Sequence, residues 1–396
     1  MIFKMYNRVF QCYVTATAKL YCNGVVYPLN YKFQFSAQNH ALLARAYCTS
    51  KSQKILQEYE QMYEQQLNEK LKDPNFAAKY NKCKLEVEDY RSRLFRIPDV
   101  IKPYDWLLLL DTDFRGQRRT YLEYRWKTEM KEANDIKRRE IKKKQIEKKR
   151  EEIDPNTYRL SHSTLCYRIR DQAINHFYNG RLMSAMLHSP PIVLDLSYDQ
   201  YMSPSERQLC AKQLLLTFSM NRVHDDPCNL YFCNVNRQSL TMQKLHITIP
   251  TIYDTDFPLN ITSKSYLEIF DKSRLVYLTP DSNQIMTHYD PNSVYIIGAL
   301  VDKVNTQPCS AQKARREGIK MVRLPLAEKL QWGMGSTKTL PLNHMLSILL
   351  DLKYTNDWNI ALQHIPRRKL KEEREKAVLS RFKKRQELIE SLIKNN

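Results

Sequence analysis

Asp302 follows the apolar run Val294-Tyr295-Ile296-Ile297-Gly298-Ala299-Leu300-Val301, and Thr279 closes a second run, Leu275-Val276-Tyr277-Leu278. Both runs are short and rich in β-branched or aromatic residues, as in strands covered on both faces. In open parallel sheets ligands bind beyond the carboxyl ends of the strands. Thr279, Asp281, Gly298 and Asp302 fall at or near those ends. A glycine there lets a ligand or another backbone approach closely. The competing reading is an ordinary core strand whose glycine packs and whose aspartate caps the next turn.

Other chemistries are poorly served. The 396 residues include only seven glycines. None forms GxGxxG or a P-loop, so the amide cradle that nucleotide phosphates need is missing. There is no GxSxG elbow and no HExxH helix. Nine cysteines lack a CxxC pair, which fits a reducing compartment. His224, Cys228 and Cys233 would need a fourth ligand to hold zinc, so no metal is expected. No apolar run reaches the roughly 18 residues of a membrane span. A formal charge of +20 and a pI near 9.4 point to polyanionic partners.

The elements that must position these residues begin after a basic leader. Residues 1–50 contain no Asp or Glu, while Lys4, Arg8, Lys19, Lys32 and Arg45 alternate with hydroxylated and aromatic residues. This is transit-peptide composition, with Arg45-Ala46-Tyr47 before the cut; a disordered basic terminus is the competing reading. From Lys51 to Leu94 the pattern is helical, with Ile55, Tyr59, Met62, Tyr63 and Leu67 as its stripe and a break at Asp73-Pro74. Trp106 to Leu110 is a small apolar anchor. Arg118 to Glu152 reads as one long helix carrying Lys142, Lys143, Lys144, Lys148 and Lys149. It is either a solvated spacer or a phosphate-binding rod; its few aromatics favour backbone contact over base stacking. Residues 157–190 predict further helix, with Leu165, Ile169, Ile174, Phe177 and Leu182 as apolar contacts, and Ser189-Pro190-Pro191 marks a boundary.

Beyond it strands and helices alternate. Strands are expected at Ile192–Leu196, Asn229–Asn234, Lys244–Ile249, Leu275–Thr279, Val294–Val301 and Val322–Leu326. Helices are expected at Glu206–Asn221, Ser310–Glu317 and Asn343–Leu352. That order predicts an α/β domain on a mainly parallel sheet. After Arg367 a basic helical tail follows, solvated by default.

The ordered segments Asp195-Leu196-Ser197-Tyr198-Asp199-Gln200-Tyr201-Met202, Tyr231-Phe232-Cys233-Asn234, Tyr277-Leu278-Thr279-Pro280-Asp281-Ser282, Tyr295 to Lys303 and Leu324-Pro325-Leu326 resemble the tRNA purine-9 N1-methyltransferase family, in its mitochondrial branch. The resemblance implies an α/β SPOUT methyltransferase domain with a C-terminal trefoil knot, a rare exception to the rule against knots, preceded by a basic, mainly helical region. It divides the chain into a transit peptide (1–47), a helical RNA-binding region and linker (48–185), the methyltransferase domain (186–368) and a basic tail (369–396). It implies S-adenosylmethionine as cofactor, held by Leu278, Thr279, Gly298, Leu324, Leu326 and Gly335. Asp302 matches the family's proposed base for guanine N1, and Asn234 and Gln238 match substrate-side positions. The implied setting is the mitochondrial matrix and the substrate mitochondrial precursor tRNA. The implied partners are a tetrameric short-chain dehydrogenase and a protein-only ribonuclease P nuclease subunit. The loop Trp332-Gly333-Met334-Gly335-Ser336-Thr337-Lys338-Thr339 departs from the family pattern. A non-catalytic RNA-binding scaffold with a decayed pocket is the alternative.

Overall fold

The computed structural model describes residues 18–22, 25–29, 50–151, 171–302, 307–336 and 339–394. Strands β1 (Ala18–Cys22) and β2 (Val25–Leu29) form an antiparallel hairpin. The chain divides into two compact units, Cys48–Ile169 and the remainder.

The helical unit contains α1 (Ser50–Lys70), α2 (Pro74–Ser92), α3 (Pro103–Asp111) and α4 (Arg115–Glu151). Asp73 caps α2 by accepting from the Asn75 amide, and Pro74 fits the first turn, where no amide donor is needed. The apolar anchor read from Trp106 to Leu110 is α3, whose Leu109 and Leu110 meet Leu122 of α4 in the core. Asp105 beneath it is buried, accepting from Tyr121 Oη at 2.6 Å and pairing with Arg125 Nε at 3.1 Å. That fixes α3 against only the first part of α4. From Arg138 to Lys148 the α4 side chains are exposed.

The second unit is built on a six-stranded sheet in the order β5-β4-β3-β7-β6-β8, with every pairing parallel. Its strands are β3 (Pro191–Asp195), β4 (Asn229–Cys233), β5 (Asn260–Ile261), β6 (Leu275–Leu278), β7 (Val294–Gly298) and β8 (Lys320–Val322). The helices are α5 (Asp171–His188), α6 (Pro204–Val223), α7 (Leu240–Thr248), α8 (Tyr266–Ile269), α9 (Cys309–Glu317), α10 (Leu326–Lys329), α11 (Leu342–Thr355), α12 (Trp358–Ala361) and α13 (Lys371–Lys394). Ile192, Val193 and Leu194 of β3 are wholly buried because helices cover both faces. Ile192 and Leu194 pack with Leu214 of α6 and Leu346 of α11, while Val193 packs with Ala314 of α9 and Tyr266 of α8. Ser203 and Glu206 close a reciprocal capping box that starts α6 ahead of Pro204.

Some expectations change. The strand expected at Lys244–Ile249 is helix α7. Its alternating pattern is short, and the Ser239 hydroxyl accepts from the Met242 amide to start a helical turn. The strand expected over Val322–Leu326 ends at Val322, because Pro325 has no amide to donate and α10 begins at Leu326. Phe177 is no apolar contact: it is 62 % exposed, with the Arg181 guanidinium 5.7 Å from its ring centre. Leu165 and Ile169 lie outside the described residues.

A histidine pair anchors α11. Asp351 accepts from His224 Nε2 at 3.0 Å and His364 Nε2 at 2.7 Å, while the Asp226 amide donates to His224 Nδ1. Both His224 nitrogens are thus engaged. Burial would raise the Asp351 carboxyl, but the histidine bonds outweigh it and hold the group well below its ordinary value. A depressed carboxylate stabilises the fold above its unfolded pKa, near 3.9, and that contribution is lost as pH falls through the folded value. Asp351→Asn is therefore expected to cost about 1–3 kcal/mol at neutral pH. The difference in urea midpoint between the two proteins should narrow below about pH 4. A pH-independent difference would assign the loss to packing.

Candidate active site

The carboxyl ends of β3, β4, β6 and β7 enclose a polar cluster centred on Asp195, whose side chain is wholly buried. Lys313 Nζ of α9 lies 2.5 Å from Asp195 Oδ2 and 2.6 Å from Ser197 Oγ. Tyr277 Oη donates to Asp195 Oδ2 at 3.1 Å, and Tyr198 Oη is 2.7 Å from Tyr277 Oη. On the other carboxylate oxygen, Asn234 Nδ2 donates at 2.7 Å and the Ser197 amide at 3.2 Å. The Lys313 ammonium also sits 5.4 Å from the Tyr198 ring centre and 5.2 Å from that of Tyr266. A buried carboxylate is tolerated when paired and hydrogen-bonded on both oxygens, and these contacts meet that need. Burial, then Asp195, pushes the Tyr277 and Tyr198 hydroxyls well above their ordinary values, so both remain donors. Burial and the same carboxylate push the Cys233 thiol up to about 12.

Gly298 belongs to this cluster. A Cβ there would lie 3.0 Å from Tyr277 Oη and 3.2 Å from Tyr198 Cε2. The glycine admits two tyrosines, which matches the competing sequence reading, a strand glycine that packs, rather than close approach by a ligand. Gly298→Ala is expected to cost about 1–3 kcal/mol by overpacking, measured as a lower urea midpoint. An unchanged midpoint would mean that the tyrosines can move aside.

The other anticipated residues lie in β6, in the loops beyond β6, β7 and β8, and after β4. Leu278 is buried in β6, and Thr279 donates its amide to Val322 O and meets Ser310 Oγ at 3.0 Å. The Arg323 amide donates to Gln284 O, and the Met286 amide donates to Arg323 O, drawing the segment after β8 against the segment after β6. Leu324 and Leu326 are buried, and Leu326 O accepts from Trp332 Nε1 at 2.9 Å. Gly335 is exposed with φ +72°. Asp302, four residues past β7, is exposed and makes no bond to any described residue. Asn234 adopts a left-handed φ of +57° just after β4, while the Gln238 side chain is exposed.

Leu278, Leu324 and Leu326 are buried in the core beside these loops, and Leu340 packs against the same core. Apolar side chains beside backbone groups are the kind of surroundings that suit an adenosyl group. Sequence reasoning missed Asp195, Lys313, Ser197, Tyr198 and Tyr277 as one unit. An aspartate ending a buried apolar strand was the available signal for Asp195. Nothing in the sequence tied Lys313 to it.

In the helical unit Lys142, Lys143, Lys144 and Lys148 are exposed, with Lys143 3.9 Å from Glu147. Lys149 continues the helix, but its side chain lies outside the described residues. Arginines stack on aromatics nearer the start of α4: Arg119 on Phe95 at 4.9 Å, Arg115 on Tyr90 at 5.3 Å and Arg96 on Trp126 at 5.4 Å. The aromatics that are scarce along α4 itself are thus supplied partly by α2 and the turn after it.

A family model for tRNA (guanine(9)-N(1))-methyltransferase TRM10/TRM10A matches residues 112–370. The chain belongs to the TRM10 family. It is similar to the mitochondrial ribonuclease P protein 1 homolog of Drosophila melanogaster, 45 % identical over 284 residues, covering 69 % of this chain and 64 % of that protein. It is also similar to the tRNA methyltransferase 10 homolog C of Mus musculus, 34 % identical over 285 residues, covering 72 % of this chain and 68 % of that protein. A solved complex of full-length spTrm10 with SAH is 33 % identical, covering 45 % of this chain and 97 % of that one, with a TM-score of 0.40. The matched part of the chain thus spans about two thirds of the length of the two curated relatives. The TRM10 match contains the Asp195 cluster, the three loops and Asp302; it ends at Leu370, before α13.

Proposed function

We propose that this protein is an S-adenosylmethionine-dependent N1-methyltransferase for the purine at position 9 of mitochondrial precursor tRNA. We further propose that it is the tRNA-binding subunit of mitochondrial ribonuclease P. The carrying observation is Asp302, an exposed carboxylate beyond β7 that bonds to no described residue, inside the region matched by the family. Likeness to the Drosophila ribonuclease P protein 1 homolog supports the second role and the mitochondrial matrix.

Leu278, Thr279, Gly298, Leu324, Leu326 and Gly335 mark the loops that would hold the cofactor. S-adenosylmethionine supplies the methyl group on a positively charged sulfur. Guanine N1 carries a proton that must leave as the new N–C bond forms, and Asp302 accepts it. With adenine N1 already bears a lone pair, so Asp302 acts by position and charge. Asn234 and Gln238 present amides to the purine. Asp195 fixes the Asn234 amide from behind, and Lys313 keeps that carboxylate charge-balanced.

The remaining assignments follow the same reading. Residues 1–47 are the transit peptide, 48–185 the RNA-binding region and linker, 186–368 the SPOUT domain and 369–396 the tail. The bonds joining Arg323 to Gln284 and Met286, with Trp358 Nε1 donating to Thr287 O, support a trefoil knot formed by the segments after β6 and β8. The partners that the likeness to ribonuclease P protein 1 suggests are a tetrameric short-chain dehydrogenase and a separate nuclease. Reconstitution tests the division of labour on a single precursor. Methyl transfer should require this chain, and 5′ cleavage should require the nuclease as well. Cleavage by this chain alone would contradict it.

A further inference from the structure

The start of the tail is bonded to the loop that departs from the family pattern. Trp332 and Leu370 pair in antiparallel fashion: the Gly333 amide donates to Lys369 O at 2.9 Å and the Lys371 amide to Gln331 O at 3.0 Å. Lys369 Nζ donates to Thr339 O at 2.5 Å, and its ammonium stands 5.8 Å from the Trp332 ring centre. Arg374, in the first turn of α13, donates from Nη1 to Ser336 Oγ at 2.5 Å. Its aliphatic stem crosses Gly333 so closely that a Cβ there would lie 2.6 Å from Arg374 Cδ and 3.1 Å from its Cβ. Arg374 Nη2 is also the nearest group to the position a Cβ would take on Gly335, at 3.6 Å. The described part of the loop is thus held at Gln331, Gly333, Ser336 and Thr339 by residues 369–374. Within the loop itself, the Ser336 amide donates to Gly333 O.

We propose that Arg374, with Lys369, is a positioning residue for the cofactor site, holding the 331–339 loop in the shape that S-adenosylmethionine requires. The proposal rests on the methyltransferase reading above. Lys369 lies inside the region matched by the family and Arg374 four residues past its end. A guanidinium suits the task because its planar fork reaches Ser336 while its stem covers Gly333. Ser and Thr in this loop supply hydroxyl and backbone acceptors for these two cations. A loop released from the grip would visit the binding shape only part of the time, and the apparent affinity falls by that fraction. The chemical step, made by groups elsewhere, is left alone.

The test uses the full chain as wild type, Arg374→Ala, Arg374→Lys, Gly333→Ala and the double variant Gly333→Ala with Arg374→Ala. Arg374 is exposed, so folding should survive. Three readouts are taken: hydrogen exchange of the 331–340 peptide without cofactor, S-adenosylmethionine affinity by calorimetry, and the split between KM and kcat on precursor tRNA. Arg374→Ala should speed exchange in that peptide and leave the β3 and β7 peptides unchanged. It should weaken cofactor binding by about tenfold, the loss expected if the loop is competent a tenth of the time. KM for the cofactor should rise by a similar factor with kcat within twofold, and Arg374→Lys should fall between. Gly333→Ala, which pushes the stem away, should resemble Arg374→Ala, and the double variant should be no worse than either, since both break the same interaction. Wild-type exchange and affinity in Arg374→Ala would overturn the proposal, as would additive losses in the double variant or a fall in kcat at unchanged KM. A wild-type protein that takes up no S-adenosylmethionine would overturn the methyltransferase reading and the grip's purpose together.

Discussion

Asp302→Asn should lower methyl transfer to guanine at position 9 by about 10²–10⁴-fold, the usual span for general-base catalysis. The substitution keeps size and hydrogen-bonding capacity and removes charge and basicity. Because Asp302 is exposed and bonds to no described residue, the fold should not depend on it, and urea midpoints should agree. Transfer to adenine should fall less, since no proton must leave N1 before attack. Cleavage of the precursor by the assembled enzyme should persist, because the proposed tRNA binding uses the basic helix and the folded domain, not this carboxylate. Matched precursors bearing guanine or adenine, at saturating cofactor, make the comparison. Equal losses on both purines would leave Asp302 a positioning role only.

Replacing Lys142, Lys143, Lys144, Lys148 and Lys149 by Gln should weaken precursor tRNA binding and flatten its salt dependence. Each phosphate that is no longer neutralised by a lysine reduces the slope of log K against log salt by about 0.7 to 0.9. The combined change reaches about 4 if all five lysines are bound. Glu147 near Lys143 makes that residue the weakest contributor. Cofactor affinity should be unaffected, since these residues lie in the helical unit. An unchanged slope would return this stretch of α4 to the role of solvated spacer. The contrasting surface is the stack of Arg96, Arg115 and Arg119 on Trp126, Tyr90 and Phe95, which offers stacking faces as well as charge.

Elements with one strong period are legible in the sequence. Leu275–Leu278 and Val294–Gly298 read as doubly covered strands because nearly every position is apolar. Ser203-Pro204 with Glu206 announces α6 by its capping chemistry. Short elements with mixed patterns are not legible: α7 looks like a strand, and β5, two residues long, carries no pattern. At the candidate site, positions along the chain are visible and pairings are not. Asp195 and Lys313 are 118 residues apart, and only the parallel crossover brings them together. Gly298 stands out in the sequence, but its reason, room for Tyr198 and Tyr277, belongs to packing. The tail reads as solvated because its apolar residues, such as Leu379 and Phe382, follow no regular stripe; its hold on the 331–339 loop comes from backbone pairing, Lys369 and Arg374, which no periodicity reveals.

The most direct measurement is mass spectrometry of a mitochondrial precursor tRNA after incubation with the full chain, the proposed dehydrogenase partner and S-adenosylmethionine carrying a labelled methyl group. The expected result is one labelled methyl on N1 of the purine at position 9, absent without the chain and strongly reduced with Asp302→Asn. Tight tRNA and cofactor binding with no labelled purine at position 9 would contradict the assignment and leave an RNA-binding scaffold in its place.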